Sequence, residues 1–362
     1  MKAHPTLAVT MGDPAGVGPE LLLELSDNLA QRLGCNLRVI GDPALLRVIS
    51  SGRFSAPAPG LESGSARCGV SIECPHALNL TTHAFGRPTP ETGKAAYAYL
   101  ERAIELARRG DVAGIVTLPL SKEALHMAGY LYPGHTEILA EKTGTTAFAL
   151  MLYSERLRIV HATAHLSVRQ ALASLTEERV LEVIELGHGM MKRLLDYPPR
   201  IAVAGLNPHA SEEGLFGDEE ARIIRPAMDA AIRRGIPVEG PYPPDTVFAM
   251  AMGGRFDLVV AMLHDHGHVA FKTALFRLGD KRRTQGVNVM LGLPFVRTSV
   301  DHGRPMTLRA KARRIQAAFL TRSSWPRACA VPPTIPESSS GRKKRRSEFS
   351  SRPQEKKNRV LE

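Results

Sequence analysis

Several familiar signatures are missing from this 362-residue chain, and each absence removes a class of function. The four cysteines, Cys35, Cys68, Cys74 and Cys329, form no CxxC pair and no zinc-ligand spacing, so free thiols in a reducing cytoplasm are expected. No apolar run approaches the length of a membrane span, although 43% of the residues are hydrophobic, a globular proportion. The opening "MKAHPTLAVTMGDP" passes almost directly into a strand-like segment, which is not the pattern of a secretory or transit signal. No standard dinucleotide fingerprint occurs. "MGDPAGVGPE" sets Gly12, Gly16 and Gly18 between a strand and a helix, a turn whose amides can meet an anion, but it has neither GxGxxG nor Walker spacing.

Basic charge is abundant but local. The net charge of +11 and the pI of about 9.7 come from the end of the chain. Residues 304–362 hold 16 Lys/Arg against 4 Asp/Glu, which leaves 31 basic and 32 acidic groups over residues 1–303. The body therefore offers no electrostatic argument for nucleic acid as a partner.

Short apolar runs alternate with helical patterns, the mark of a mainly parallel α/β sheet. "TLAVTMG", "NLRVIGD", "VAGIVTLPL", "RIAVAGLNP" and "FDLVVAML" read as strands covered on both faces. "ETGKAAYAYLERAIELARRG" reads as a helix, with Glu91 near its start and Arg108, Arg109 and Gly110 closing it. A second helix begins at "GDEEARII", and Pro226 is expected to kink or stop it after two turns. Residues 51–70, rich in Ser, Gly, Pro and Ala, read as a surface loop.

In such sheets ligands gather at the carboxyl ends of strands. Three of those ends carry imidazole: His165 after "RIVHATAH", His209 after "RIAVAGLNPH", and His264, with Asp265, His266 and His268, after "FDLVVAML". Three imidazoles can converge on zinc or another first-row divalent ion, and a neighbouring carboxylate widens the choice toward manganese or magnesium. Taken singly, each histidine caps a strand or bonds a backbone carbonyl. "YPGHTE" offers His135 and Thr136 to a polar substrate, while Lys272, Asn288 and Arg297 suit a phosphate or carboxylate. Spacing alone suggests a metal-dependent α/β enzyme acting on an anionic substrate.

Longer strings add to this. "MGDPAGVGPE", "YPGHTE", "GLNPHASEEGLFGDEE", "HDHGH" and "GVNVMLGLPFVRTSVDHG", spread over residues 5–303, closely resemble the 4-hydroxythreonine-4-phosphate dehydrogenase family of vitamin B6 synthesis, which has a 4-phospho-D-threonate / 4-phospho-D-erythronate branch. The resemblance implies a two-lobed isopropylmalate-dehydrogenase-like α/β fold with mainly parallel sheets covered by helices. Lobe one would span roughly 1–135 plus 285–303, and lobe two roughly 136–284. It also implies a cytoplasmic homodimer with active sites in the interlobe clefts shared between subunits, and NAD as cofactor. A divalent metal (Zn, Mg, Mn or Co) would be held by His165, His209 and His264, one of them from the partner chain. Contacts to a phosphorylated substrate fall to His135, Thr136, Lys272, Asn288 and Arg297. Lys272, Asp265 or Asp245 would handle protons. "HDHGH", with His266 where the family commonly has glutamine, looks closer to the threonate/erythronate branch, and the stretch from Lys272 to Asn288 is longer than in the vitamin B6 enzymes.

After "SVDHG" the resemblance stops. Where the family continues with text like Thr-Ala-Tyr-Asp-Ile-Ala-Gly-Lys-Gly-Glu-Ala-Asn, this chain has "RPMTLRAKARRI". Permitted codons for that string, read from the third base, spell Ala-Tyr-Asp-Ile-Ala-Gly-Lys-Gly-Glu-Ala-Asn, eleven family residues in succession. A single-base deletion after the Gly303 codon accounts for the basic tail. On the competing reading, "GRKKRR" is a genuine nucleic-acid or localisation signal, and either way the segment is expected to be disordered. Resequencing the gene across the Gly303 codon and about 150 bases beyond is expected to show family text continuing in the alternative frame; an early breakdown of that frame would make the tail genuine.

Overall fold

Strands built from near-continuous apolar runs need cover on both faces, and this chain supplies it. The structure is a computed structural model and describes residues 4–23, 25, 27–50, 68–275 and 286–300. The tail from Arg304, residues 51–67 of the expected loop and residues 276–285 of the long Lys272–Asn288 stretch lie outside the described residues. The strands are β1 (Thr6–Thr10), β2 (Asn36–Ile40), β3 (Val70–Glu73), β4 (Gly114–Thr117), β5 (Ala149–Tyr153) and β6 (Arg158–His161). They continue with β7 (Ile201–Ala204), β8 (Val238–Tyr242), β9 (Leu258–Ala261), β10 (Val287–Leu291) and β11 (Val296–Val300). All join one sheet in the order β3-β2-β1-β4-β11-β10-β5-β6-β9-β7-β8. The five runs read as strands from the sequence are β1, β2, β4, β7 and β9.

Neighbours from β3 to β11 are parallel, as are those from β6 to β8, but the pairings β11–β10, β10–β5 and β5–β6 are antiparallel. The sheet is therefore mixed at its centre, and its two parallel halves run in opposite directions. The cause is the β10–β11 hairpin, which carries residues late in the chain into the middle of the sheet and sets β11 beside β4.

Before β5 the helices are α1 (Gly18–Leu22), α2 (Asp27–Leu33), α3 (Pro43–Ile49), α4 (Pro90–Arg109), α5 (Lys122–Met127) and α6 (His135–Thr143). After it come α7 (Val168–Ser174), α8 (Glu177–Leu194), α9 (Arg225–Arg233), α10 (Val247–Met252) and α11 (His264–Leu275). The boundaries of α4 follow from its ends. Thr89 and Thr92 form a reciprocal capping box, and Gly110 closes the helix in the left-handed conformation. Pro226 does not stop the second expected helix. A π-turn, Glu220–Ile224, runs into α9 with Pro226 in its first turn, where a missing N–H breaks no intrahelical bond.

Alternation along the strands divides the core. Val160, Leu258 and Val203 face α8, while Ile159, Val259 and Ala261 face α10 and α11. Phe271 and Leu275 hold α11 to the sheet, and burying each contributes roughly 2 kcal/mol. Cys35 and Cys68 are buried free thiols, and no helix among the described residues is long and apolar enough to cross a membrane.

Asp257 locks the amino ends of β7 and β9. Its buried carboxylate accepts from Arg200 N (2.9 Å), Nε (3.0 Å) and Nη2 (3.0 Å) and from the Tyr197 hydroxyl (3.0 Å). Burial pushes this carboxyl up, but the bonds from Arg200 and Tyr197 outweigh it and hold it below its ordinary value of 3.8. A depressed carboxyl stabilises the fold above that unfolded value, and the stability is lost as pH falls through the folded one. Asp257→Asn is expected to cost about 2 kcal/mol in denaturant unfolding at pH 7, with the gap from the parent narrowing below about pH 4.

Candidate active site

The glycine-rich turn after β1 is closely packed. A Cβ on Gly12 would meet Pro119 O at 2.2 Å, and one on Gly18 would meet Met11 O at 1.9 Å. Two of its amides are already taken: Ala15 N donates to Asp13 Oδ1 (3.0 Å) and Gly16 N to Asp13 O (3.0 Å). The backbone passes too close to its neighbours for any side chain there.

A row of buried polar groups lies at the centre of the sheet. Registered partners share a face, so Thr10, Thr117, Ser299 and Asn288 form a polar row across β1, β4, β11 and β10. Arg297, two residues before Ser299, points to the same face and is 5% exposed. Its Nη2 donates to Thr117 Oγ1 (2.7 Å), while its Nε and the Asn288 Oδ1 are buried without a hydrogen-bond partner. Burial pulls the guanidinium down to about 10, against the attraction of Glu137, and it remains a cation at neutral pH. A buried cation with a spare donor is costly unless an anion completes it. Glu137, whose charge reaches Arg297, is in the first turn of α6, the helix that His135 and Thr136 open, while Asn288 and Arg297 are on the β10–β11 hairpin. Lys272 is half-buried on α11, the same helix as His264 and two turns beyond it.

The histidines lie on this face too. The His161 imidazole at the end of β6 donates from Nδ1 to Leu150 O (3.1 Å), and the row runs on through Met290 to Arg297. Three strand spacings of about 4.8 Å separate His161 from Arg297, about 14 Å in all. His161 is fully buried, and burial together with the neighbouring His268 pulls it down to about 3, so it is neutral. His268 stacks on His264 with centroids 3.7 Å apart, and His165 lies 5.7 Å from His264. Two imidazoles on one tetrahedral ion have centroids about 5 Å apart, so His165 and His264 fit a shared metal. His264 Nδ1 is 2.8 Å from Asp265 Oδ1; a carboxylate only accepts, so the proton is on Nδ1 and Nε2 carries the lone pair a metal would need. That bond holds Asp265 below the ordinary carboxylate range and makes it an orienting group.

His209 is built the same way but stands elsewhere. Its Nδ1 is 2.6 Å from Glu212 Oε1, which again leaves the lone pair on Nε2. Among the described residues no three His, Cys, Asp or Glu side chains converge on a metal position, so one chain brings together two of the three predicted ligands. Asp245 is exposed just before α10 and accepts from the Thr246 hydroxyl (3.3 Å). Two predicted ligands have left-handed backbone, His165 at φ 56° and His209 at φ 53°. From His209 to Glu213 every residue is left-handed, at roughly 1–2 kcal/mol each. Strain of this kind persists where the surroundings over-determine it, often at functional sites. The sequence reading missed Glu212, Thr117 and His161. Glu212, three residues after His209, and the hydroxyl residues at strand ends were the available signals.

Comparison with known proteins identifies the family. The profile of the family described as Pyridoxal phosphate biosynthetic protein PdxA matches residues 34–321. The D-threonate 4-phosphate dehydrogenase of Salmonella typhimurium is 43% identical over 308 residues, covering 82% of this chain and 90% of that protein. The 4-hydroxythreonine-4-phosphate dehydrogenase of Desulfosudis oleivorans is 42% identical over 329 residues, covering 88% and 95%. The solved structure of 4-hydroxythreonine-4-phosphate dehydrogenase from Klebsiella pneumoniae aligns with a TM-score of 0.75 at 40% identity, covering 87% of this chain and 97% of that one. The expected α/β architecture, a largely parallel sheet covered by helices, is the one observed and shared. With sequence, fold and relatives in agreement, the chain belongs to the PdxA family and is a dehydrogenase of that family.

Proposed function

We propose that the chain catalyses the NAD- and divalent-metal-dependent oxidation of the C3 hydroxyl of a 4-phosphorylated hydroxy acid, followed by decarboxylation. The substrate is 4-phospho-D-threonate or 4-phospho-D-erythronate, with 4-phosphohydroxy-L-threonine as the alternative within the family. The observation that carries this reading is the pairing, on one sheet face, of a buried guanidinium with a spare donor and two imidazoles at metal-ligand separation.

His165, His209 and His264 would hold the ion, which when bound supplies Lewis acidity at the C3 oxygen, with NAD as hydride acceptor. Arg297 and Asn288, with His135, Thr136 and Lys272, hold the terminal phosphate and fix which hydroxyl meets the histidines. Oxidation leaves the carboxylate β to the new carbonyl, so carbon dioxide departs as its bonding electrons move toward that carbonyl. Lys272 lies about 12 Å along α11 from His264, and it, Asp265 or Asp245 would carry the proton. With a 2-hydroxyl the product is dihydroxyacetone phosphate; with a 2-amino group it is an aminoacetone phosphate derivative.

A homodimer with shared active sites supplies the ligand that one chain leaves apart. Exposed apolar residues flank both ligand groups: Leu166, Val168 and Val269 beside His165 and His264, Leu215 and Phe216 beside His209. The test is NADH formation from each of the three acids, by this chain and by one with the frame restored after Gly303. Turnover that needs the 4-phosphate and disappears with a chelator is expected; no turnover by either chain on any of the three would contradict the reading.

A further inference from the structure

The left-handed turn that presents His209 depends on one buried carboxylate. Glu220 is 2% exposed, and its Oε1 accepts from Leu206 N (2.7 Å) and Asn207 N (2.8 Å) while Oε2 accepts from Asn207 Nδ2 (2.9 Å). Asn207 O in turn accepts from Ala210 N (3.1 Å), closing the first left-handed turn, and Ser211 Oγ donates to Gly217 O. The surroundings leave no slack. A Cβ on Gly205 would meet Ala210 Cα at 2.9 Å and Glu220 Oε1 at 3.0 Å, and one on Gly217 would meet Asn207 Nδ2 at 2.6 Å. The π-turn begins at Glu220 itself, an irregularity that recurs at functional sites.

All three partners of Glu220 are N–H donors, so an acceptor-only group is the one that satisfies them. A glutamine of the same shape would set its own NH2 against at least one of them. We propose that Glu220 is a positioning residue for His209: it fixes the His209–Glu213 turn in the conformation that, with Nδ1 held by Glu212, directs Nε2 outward as a metal ligand. This rests on the reading of His209 as a ligand. It adds a requirement that the histidine spacing does not contain, a buried anion eleven residues downstream that touches neither metal nor substrate.

The experiment compares the full-length chain with Glu220→Gln, Asn207→Ala, His209→Ala and, as a structural control, Asp257→Asn. Cobalt(II) affinity is measured by chelator competition, the visible cobalt band by absorption, and the melting temperature on metal-free protein. His209→Ala is expected to weaken cobalt binding and change the band. Glu220→Gln should reproduce that band change and weaken binding about 10- to 100-fold, while its metal-free melting temperature falls by only about 2–4 °C. Asp257→Asn should lower the melting temperature and leave the band intact. A Glu220→Gln protein that melts lower but binds cobalt like the parent overturns the proposal, because a merely structural carboxylate behaves that way. Should Glu220→Gln fail to fold, Asn207→Ala decides by the same two outcomes. An unchanged His209→Ala would instead sink the ligand reading on which the proposal stands.

Discussion

A guanidinium buried on a sheet face constrains most of what surrounds it. Arg297 is nearly inaccessible, keeps its charge at neutral pH, and has a bond to Thr117 on one side and an unpartnered Nε on another. Such a group is tolerable only where the backbone fixes its partners in advance, and the β10–β11 hairpin does that by inserting Arg297 beside β4. The same insertion reverses strand direction at the middle of the sheet and puts Asn288 in register with Ser299 and Thr117. The buried polar row and the antiparallel centre of the sheet thus share one origin, the β10–β11 hairpin.

The histidine side obeys a different constraint. His165 and His264 leave adjacent parallel strands, β6 and β9, whose pairing continues past the strand ends: Ala162 N donates to Ala261 O (2.8 Å) and the Thr163 hydroxyl to Met262 O (2.8 Å). Their rings are held by backbone already committed to the sheet. His209 leaves β7 on a left-handed turn, and the amides just before it, Leu206 N and Asn207 N, donate to Glu220. Among the described residues one chain brings His165 and His264 near each other and leaves His209 apart from them.

Much of this was legible in the sequence. Uninterrupted apolar runs marked five strands, and a threonine and a glycine bounded α4 as local propensity requires. Asn288 and Arg297 stood out as polar groups among strand residues, and the structure sets them on one face of the β10–β11 hairpin. The shared face could not be read, because register is a property of pairing between strands distant in sequence. The antiparallel centre was hidden for the same reason. Pro226 misled because proline's effect depends on whether it falls in a first turn, which the π-turn decided. For the glycines after β1 the structure adds the close backbone neighbours, Pro119 and Met11, that the sequence could not show. The family resemblance joined residues that spacing alone had left separate.

The account's central claim is that Arg297 is where the substrate's phosphate is held. Calorimetric binding of 4-phospho-D-threonate and of unphosphorylated D-threonate to the parent and to Arg297→Lys tests it most directly. A lysine keeps the charge but loses the planar donor set. The phosphorylated ligand is expected to bind about 10- to 100-fold more weakly to the variant, the loss of one charge-assisted hydrogen-bonding group, while the unphosphorylated acid binds both proteins alike. Equal binding of the phosphorylated ligand to both proteins would contradict the account.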